Sequence, residues 1–410
     1  MSYQGKTSVN NIFMTGATGV MGARLLLEML RTTDAMVYCL SRAKSAADAA
    51  ERINALVDVY DTVQDSKDQR WRIVPVLGNL IEPQFGLAED VYQELTESTD
   101  IVYHCAANVS LIASFKKLKP TNVDAVATMV EFCLCGQIPL IFVSSFSVIG
   151  DDLYHDVTML ETELDRGQNF PDLNYERSKF EAETLIHNAS ERGLNWAIVR
   201  PGNIWGDSQT GAYPLFETKV KGIYYEIIKT LVETGLTYTS EENFDISPVD
   251  YVSQATLFVG LNIHQTNHQT YHLTSRAPIT YNQLVQGVRN KGYRIDEVPS
   301  EDYFSAIKDT RIMRDGKVYR SMFTDFAGML MNEFEDLDLT EKGRWDTSAI
   351  TGLLAGTFVQ YPDFDQTIMN RYLDYCEQRG WINSVASQGP QAEILSQDDD
   401  DDEDYFIGQR

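Results

Sequence analysis

NNIFMTGATGVMGARLLLEMLRTT, from Asn10 to Thr33, is the stretch that decides the fold. A short apolar run ends in a glycine cluster, and the residues beyond it place apolar side chains at helical spacing. That order is strand, turn and helix. Gly16 permits a tight turn off the strand, Gly19 lets the backbone approach a pyrophosphate, and Gly22 lets the helix pack closely. The amino terminus of the helix then favours phosphate charge. Glycine spacing recurs by accident in many chains, so the weight lies in its context between a strand and a helix near the chain start. Thr18, Val20 and Met21 fill the same turn and join the three glycines as expected cofactor contacts.

Working outward, strands are expected at Ala35 to Ser41, Trp71 to Leu77, Asp100 to Ala106, Leu140 to Ser144, Trp196 to Arg200 and Thr270 to Ser275. Helical patterns separate them at Ala46 to Tyr60, Asn122 to Cys135, Glu176 to Arg192 and within Phe244 to Gly260. Apolar strands alternating with helices imply a parallel sheet covered on both faces. The expected fold class is therefore α/β, a Rossmann-type doubly wound parallel sheet with a smaller, mainly helical C-terminal substrate domain. Residues 8–206 and 244–275 are assigned to the first unit, and 207–243 and 276–383 to the second. Residues 384–410 read as a disordered acidic tail.

The chain has 410 residues, 43% of them hydrophobic, enough to bury a large core. Its 34 Lys and Arg against 60 Asp and Glu give a net charge of −26, which repels phosphate backbones and excludes nucleic acid as a partner. The tail from residue 385 carries −7 of this, so the remaining −19 belongs to the body. Five cysteines without regular spacing fit a reducing compartment, and the expected location is cytoplasmic. No signal core and no apolar stretch of membrane-spanning length is present in the sequence.

Candidate site residues cluster at strand ends. Arg42, with Lys44 behind it, follows the second strand where an acidic residue would select the unphosphorylated cofactor; a guanidinium suits a 2′-phosphate, hence NADPH over NADH. Arg52 is a second phosphate contact or an exposed side chain. Gly78, Asn79 and Leu80 are placed to edge the adenine, and Ala106 and Ala107 after Cys105 are small enough for a cofactor to lie against. Tyr175 and Lys179, in YERSK, share one helix face. Ser145 leaves the strand in IFVSSFSVIG, ahead of its neighbours Ser144 and Ser147 as the candidate. A carbonyl receiving hydride becomes an oxyanion. Tyr175 can protonate it, Ser145 can hydrogen-bond it, and Lys179 can lower the phenol pKa and hold ribose. Asn122 either orients Lys179 through a water or caps its own helix.

Together TGATGVMG, HCAA, SSFSVIG, YERSK and VRPGNIWG resemble the extended short-chain dehydrogenase/reductases. CLSRAKSAADAAERI, GNLIEPQFGL, RPGNIWGDSQTGA, ISPVDYV and the closing WDTSAITGLLAGTFVQYPDFDQTIMNRYLDYCEQRGWI narrow the likeness. They resemble the thioester reductase domains that end nonribosomal peptide and polyketide assembly lines, and the reductase domain of carboxylic acid reductases. Residues 8 to 383 are covered. The resemblance implies an NADPH-dependent reduction of an acyl thioester, held on the phosphopantetheine of a carrier protein or on coenzyme A, to an aldehyde and in a second step to the alcohol. It adds Pro201, Asn203 and Ile204 as cofactor contacts. Two departures stand out: Asn79 where the family commonly has Asp, and Ser145 where many members have Thr. With no adenylation or carrier segment in view, a free-standing reductase is expected. The rival readings are an epimerase, dehydratase or alcohol dehydrogenase acting on a nucleotide sugar or other small substrate, and a non-catalytic nucleotide-binding regulator.

Other patterns carry less. His264, His268 and His272 recur every four residues but run into an expected strand, so no metal site is assigned. Cys133 and Cys135 are too close for a usual zinc pair. Arg311, Arg314, Lys317 and Arg320 recur every three residues, as on a solvated helix face; they and the rival cluster Lys116, Lys117 and Lys119 are the two basic patches able to steer an acidic carrier protein. GIYYEIIKTLV and FTDFAGMLMNEF line an acyl channel or pack as core.

Overall fold

The computed structural model describes residues 9–218, 222–240, 242–309, 312–314, 317–319 and 342–388. Seven strands form one sheet: β1 (Asn11–Thr15), β2 (Met36–Ser41), β3 (Ile73–Leu77), β4 (Ile101–His104), β5 (Leu140–Val143), β6 (Trp196–Pro201) and β7 (Gln269–Leu273). Their order is β3-β2-β1-β4-β5-β6-β7, and every pairing is parallel. The order reverses between β1 and β4, which opens a crevice at the carboxyl ends of the strands.

Helices α1 (Val20–Thr32), α2 (Ala46–Tyr60), α3 (Glu89–Ser98), α4 (Ala125–Gly136), α5 (Asn174–Ala189), α6 (Ile223–Thr234), α7 (Val249–Leu261), α8 (Tyr281–Lys291) and α9 (Gln366–Gln378) complete the frame. Side chains alternate across a strand, so each strand feeds two cores. Ile12, Met14, Ile141 and Val199 pack with α1, α2 and α7, while Phe13, Leu140, Phe142 and Ile198 pack with α3, α4 and α5. This is why the strands read as continuous apolar runs.

A further core gathers Trp205, Tyr225, Ile228, Leu231, Tyr281, Leu284, Tyr372 and Leu373 from α6, α8, α9 and the loop after β6. GIYYEIIKTLV is part of it as α6, with Tyr225, Ile227 and Ile228 buried. The turn Asp207 to Ala212, expected in the second unit, is held by helices α1 and α7 and, through Arg371 on the Ser208 carbonyl, by α9. Arg24 of α1 reaches Asp207 at 3.0 Å and Glu28 at 2.8 Å, Asp250 of α7 accepts from the Ser208 hydroxyl at 2.6 Å, and Ala212 lies in the α1 core. The tail boundary also shifts. Val385–Ser387 form a 3-10 turn, and Gln388 bonds the carbonyls of Val232 and Arg294, so the packed body reaches residue 388.

Two sequence patterns resolve differently from their periodicity. Ile312–Arg314 and Lys317–Tyr319 are antiparallel strands, so three-residue spacing does not define a helix face there; Arg311, Arg320 and FTDFAGMLMNEF lie outside the described residues. The three histidines take separate partners. His264 contacts Gln265, His268 meets the Leu194 carbonyl, and His272 is buried beside Arg200.

That last contact belongs to a buried network. Arg200 holds Glu183 through contacts of 2.7 to 3.2 Å, and its Nη1 donates to His272 Nε2 at 3.1 Å. His272 Nδ1 donates to the Asp346 carbonyl at 2.7 Å, which fixes the tautomer and leaves Nε2 as acceptor. Burial, reinforced by Arg200, lowers the imidazole pKa to about 3 and keeps it neutral. Glu161 accepts the His272 amide at 2.9 Å and the Ala349 amide at 2.6 Å, joining β7 to the C-terminal segment. Removing one member of a buried ion pair strands the other. Arg200→Met is expected to cost about 3–5 kcal/mol in urea unfolding; a loss below about 1 kcal/mol would show that Glu183 is not dependent on it.

Candidate active site

Two glycines of the turn, Gly16 and Gly22, leave no space for a side chain. Gly16 adopts φ +80°, and a β-carbon there would lie 2.7 Å from the Ala106 nitrogen. At Gly22 it would lie 2.1 Å from the Gly16 carbonyl, so the close approach is between helix and turn rather than helix and sheet. Gly19 stands at the N-cap of α1 with its side free of any capping side chain, and its amide donates to the Gly16 carbonyl at 2.9 Å. Thr18 and Val20 are half-buried in this turn; Met21 points into the core.

Arg42 and Arg52 are brought together at the end of β2. Arg52 Nη1 donates to the Arg42 carbonyl at 2.6 Å, and both side chains are exposed. After β3, Gly78 sits where a β-carbon would strike the Phe85 carbonyl, Leu80 turns into the core, and Asn79 donates to Glu82 at 2.8 Å. The Asn79 amide oxygen is buried without a hydrogen-bond partner, leaving an acceptor open. Ala106 and Ala107 are half-buried after β4, with the Ala106 amide on Thr15 Oγ1. Beyond β6, Pro201 is buried and Asn203 and Ile204 are half-buried; the Asn203 amide donates to Asp245 at 2.9 Å, and its side-chain nitrogen has no partner. A glycine turn at a helix terminus and open polar atoms around the crevice fit a nicotinamide dinucleotide.

Tyr175 and Lys179 occupy the first turns of α5, and Ser145 follows β5. The Ser145 hydroxyl hydrogen-bonds the Tyr175 phenol, and Ser145 Oγ lies 2.8 Å from Ser147 Oγ. Burial raises the phenol pKa well above its ordinary value, Glu176 raises it further, and only Ser145 opposes them. Lys179 is not among the groups that shift it here. The Lys179 ammonium instead donates to the Val143 carbonyl at 2.7 Å and lies 4.3 Å from the centre of the Phe142 ring. Burial depresses its pKa to about 8, against the attraction of Glu183.

Asn122 does not stand at a helix N-cap. It lies in the π-helical turn Pro120–Asp124, where its amide group accepts from the Asn108 amide at 2.7 Å and donates to the Asn108 carbonyl at 2.9 Å. It also donates to Ser178 Oγ at 2.9 Å, and Ser178 donates to the Tyr175 carbonyl at 2.6 Å. It is a positioning residue that ties the loop after β4 to the helix bearing Tyr175. Ser147 and Ser178 are the residues that sequence reasoning left aside; Ser178 stood in YERSK three residues after Tyr175, on the same helix face.

A family model for NAD-binding proteins, described as male sterility protein, matches residues 14–256. A linear gramicidin synthase of Brevibacillus parabrevis is 27% identical over 373 residues, covering 90% of this chain and 7% of the relative. The L-2-aminoadipate reductase large subunit of Penicillium chrysogenum is 27% identical over 411 residues, covering 93% of this chain and 28% of the relative. The chain thus spans a small part of both. The terminal R domain of the myxalamid PKS-NRPS pathway superposes with a TM-score of 0.80 at 28% identity, over 93% of this chain and 94% of that one. The nonribosomal peptide synthetase reductase domain of Mycobacterium tuberculosis has a TM-score of 0.73 at 21% identity, over 91% and 93%, and shares the fold.

The buried ammonium carries a pH signature. Its folded pKa of about 8 lies below the ordinary 10.5, so between these values the unfolded chain binds more protons and stability rises with pH. Lys179→Met removes that slope. The variant is expected to gain on the wild type by roughly 1–3 kcal/mol at pH 7, with the difference shrinking toward pH 10. Urea midpoints measured from pH 7 to 10 check this, and a pH-independent difference would refute it.

Proposed function

The chain belongs to the NAD-binding family described as male sterility protein, and from that premise we propose that it is an NADPH-dependent reductase of acyl thioesters. The acyl group is presented on a carrier-protein phosphopantetheine or on coenzyme A, and it leaves as an aldehyde or, after a second round, an alcohol. The observation that carries the reading is the hydrogen-bonded Tyr175 and Ser145 at the end of β5, next to the buried cation of Lys179. The likeness to the myxalamid R domain supports it.

The cofactor, when bound, supplies the hydride. Gly16, Gly19 and Gly22 would take its pyrophosphate, and Arg42 and Arg52 its 2′-phosphate. A phenol with a raised pKa stays protonated at neutral pH, so Tyr175 arrives as a proton donor. Ser145 orients the thioester carbonyl. As its oxygen becomes an alkoxide, Tyr175 transfers the proton, and Lys179 would hold the cofactor ribose. The resulting hemithioacetal collapses with cleavage of the carbon–sulfur bond, giving aldehyde and thiol. Asn122, through Ser178, holds Tyr175 in register with Ser145. The core built on α6, α8 and α9 forms the acyl-facing unit in this reading.

The assay is NADPH absorbance with a medium-chain acyl group on a carrier protein, with aldehyde and alcohol identified by chromatography. Turnover is expected, and Tyr175→Phe should lower kcat by roughly 10²–10⁴ while the cofactor still binds. A Tyr175→Phe enzyme within a few-fold of wild type would overturn the proton-donor role, and absence of any thioester turnover would overturn the reaction.

A further inference from the structure

From Ile101 to Val123 the sequence carries three lysines and no acidic residue, although 60 of the 410 residues are Asp or Glu. The structure places this stretch beside the active site. Asn108 is clamped by Asn122, and Phe115–Lys119 is a short helix whose Leu118 is buried against the body. That helix packs on α5, with the Arg177 guanidinium 4.2 Å from the centre of the Phe115 ring. Arg177 follows Tyr175 by two residues on α5, so its charge lies on the flank of that helix which the short helix covers.

Lys116 and Lys117 are exposed and pair with no carboxylate among the described residues, whereas Lys119 is matched to Asp124. Arg177 is half-exposed and shares Glu181 at 2.9 Å. Next to these cations the loop exposes Val109, Leu111 and Ile112, the last at 70%. Three apolar side chains in solvent within four residues, bordered by unpaired cations, form a mixed face of the kind protein partners use. Coenzyme A phosphates would need the cations and leave the apolar side chains unused. A small acidic protein uses both, and the rest of this strongly negative chain would repel it.

We propose that Val109, Leu111, Ile112, Lys116, Lys117 and Arg177 form the docking surface for an acidic carrier protein that delivers the acyl thioester. The inference rests on the thioester reductase reading and names the partner and its entry face. Electrostatic attraction brings the carrier to the mouth of the crevice, and the apolar loop supplies the contact that holds it there.

The test is fluorescence anisotropy of a labelled, negatively charged acyl carrier protein bearing a decanoyl-phosphopantetheine, titrated with the full chain. Lys116→Glu/Lys117→Glu and Ile112→Ser are each expected to weaken binding tenfold or more, while Lys67→Glu, an exposed lysine elsewhere, changes it less than twofold. Turnover of decanoyl-pantetheine should stay within twofold in all three, which also shows that they fold. Equal weakening by Lys67→Glu would assign the effect to net charge and overturn the proposal, as would unchanged binding in the double variant. A raised KM for decanoyl-CoA with carrier affinity intact would assign the lysines to coenzyme A and overturn it likewise. Carrier binding that depends on these residues in a protein that reduces no thioester would sink the catalytic reading and leave the surface standing.

Discussion

Helix α1 rests on the turn after β1 because neither Gly16 nor Gly22 carries a side chain: a β-carbon at Gly22 would stand 2.1 Å from the Gly16 carbonyl. With the helix seated there, its amino terminus opens onto the crevice at the reversal of strand order. The same seating sets Arg24 one turn along. Its guanidinium is buried, a state that opposes charge, but Asp207 and Glu28 outweigh the penalty and hold it protonated. Asp207 in turn accepts the amides of Gln209 and Thr210, and Asp250 holds Ser208. The loop leading from β6 toward the further core is thus fixed from α1, and any tilt of that helix would move cofactor turn and loop together.

Much of this was legible in the sequence for a physical reason. Parallel strands buried on both faces are largely apolar, so most of the seven stand out from the helices between them, β7 (QTYHL) least of all. Tyr175 and Lys179 were legible because helical spacing is local, and Ser145 because it ends an apolar run. The direct partners of Asn122 were not legible. Its contacts are with Asn108, fourteen residues back, and Ser178, fifty-six ahead, and they depend on a π-helical turn that no periodicity announces. The further core was legible only as separate segments, since Trp205, Tyr281 and Tyr372 meet from parts of the chain that no local pattern relates. The Arg200, Glu183 and His272 network was hidden in the same way, its members lying on α5, β6 and β7.

Burial acts on Tyr175, Lys179 and the groups near that lysine in a consistent direction. It raises Tyr175, pushes Cys105 up to about 12, depresses His104 to about 3 and brings Lys179 to about 8. Each neutral form is favoured, so near pH 7 the phenol, thiol and imidazole are uncharged and the ammonium is the remaining charge in their midst. A lone cation in a dry site is costly unless its donors are satisfied. Lys179 meets that requirement with the Val143 carbonyl and the Phe142 face, and His104 stacks on the same ring at 5.8 Å.

The position of that carbonyl couples stability to alignment. Val143 is the last residue of β5 and Ser145 lies two residues beyond it, while Lys179 and Tyr175 are one turn apart on α5. A slide of α5 along the strand that broke the Tyr175 contact with Ser145 would also pull the ammonium from Val143 and leave it buried without an acceptor. The cost of burying the cation therefore works in favour of register, because the arrangement that satisfies Lys179 is the one that aligns the phenol with the serine. Asn122 and Ser178 restrain the same slide where the helix meets the loop after β4. Two independent restraints act on one degree of freedom, and that degree of freedom governs the distance across which the proton must pass.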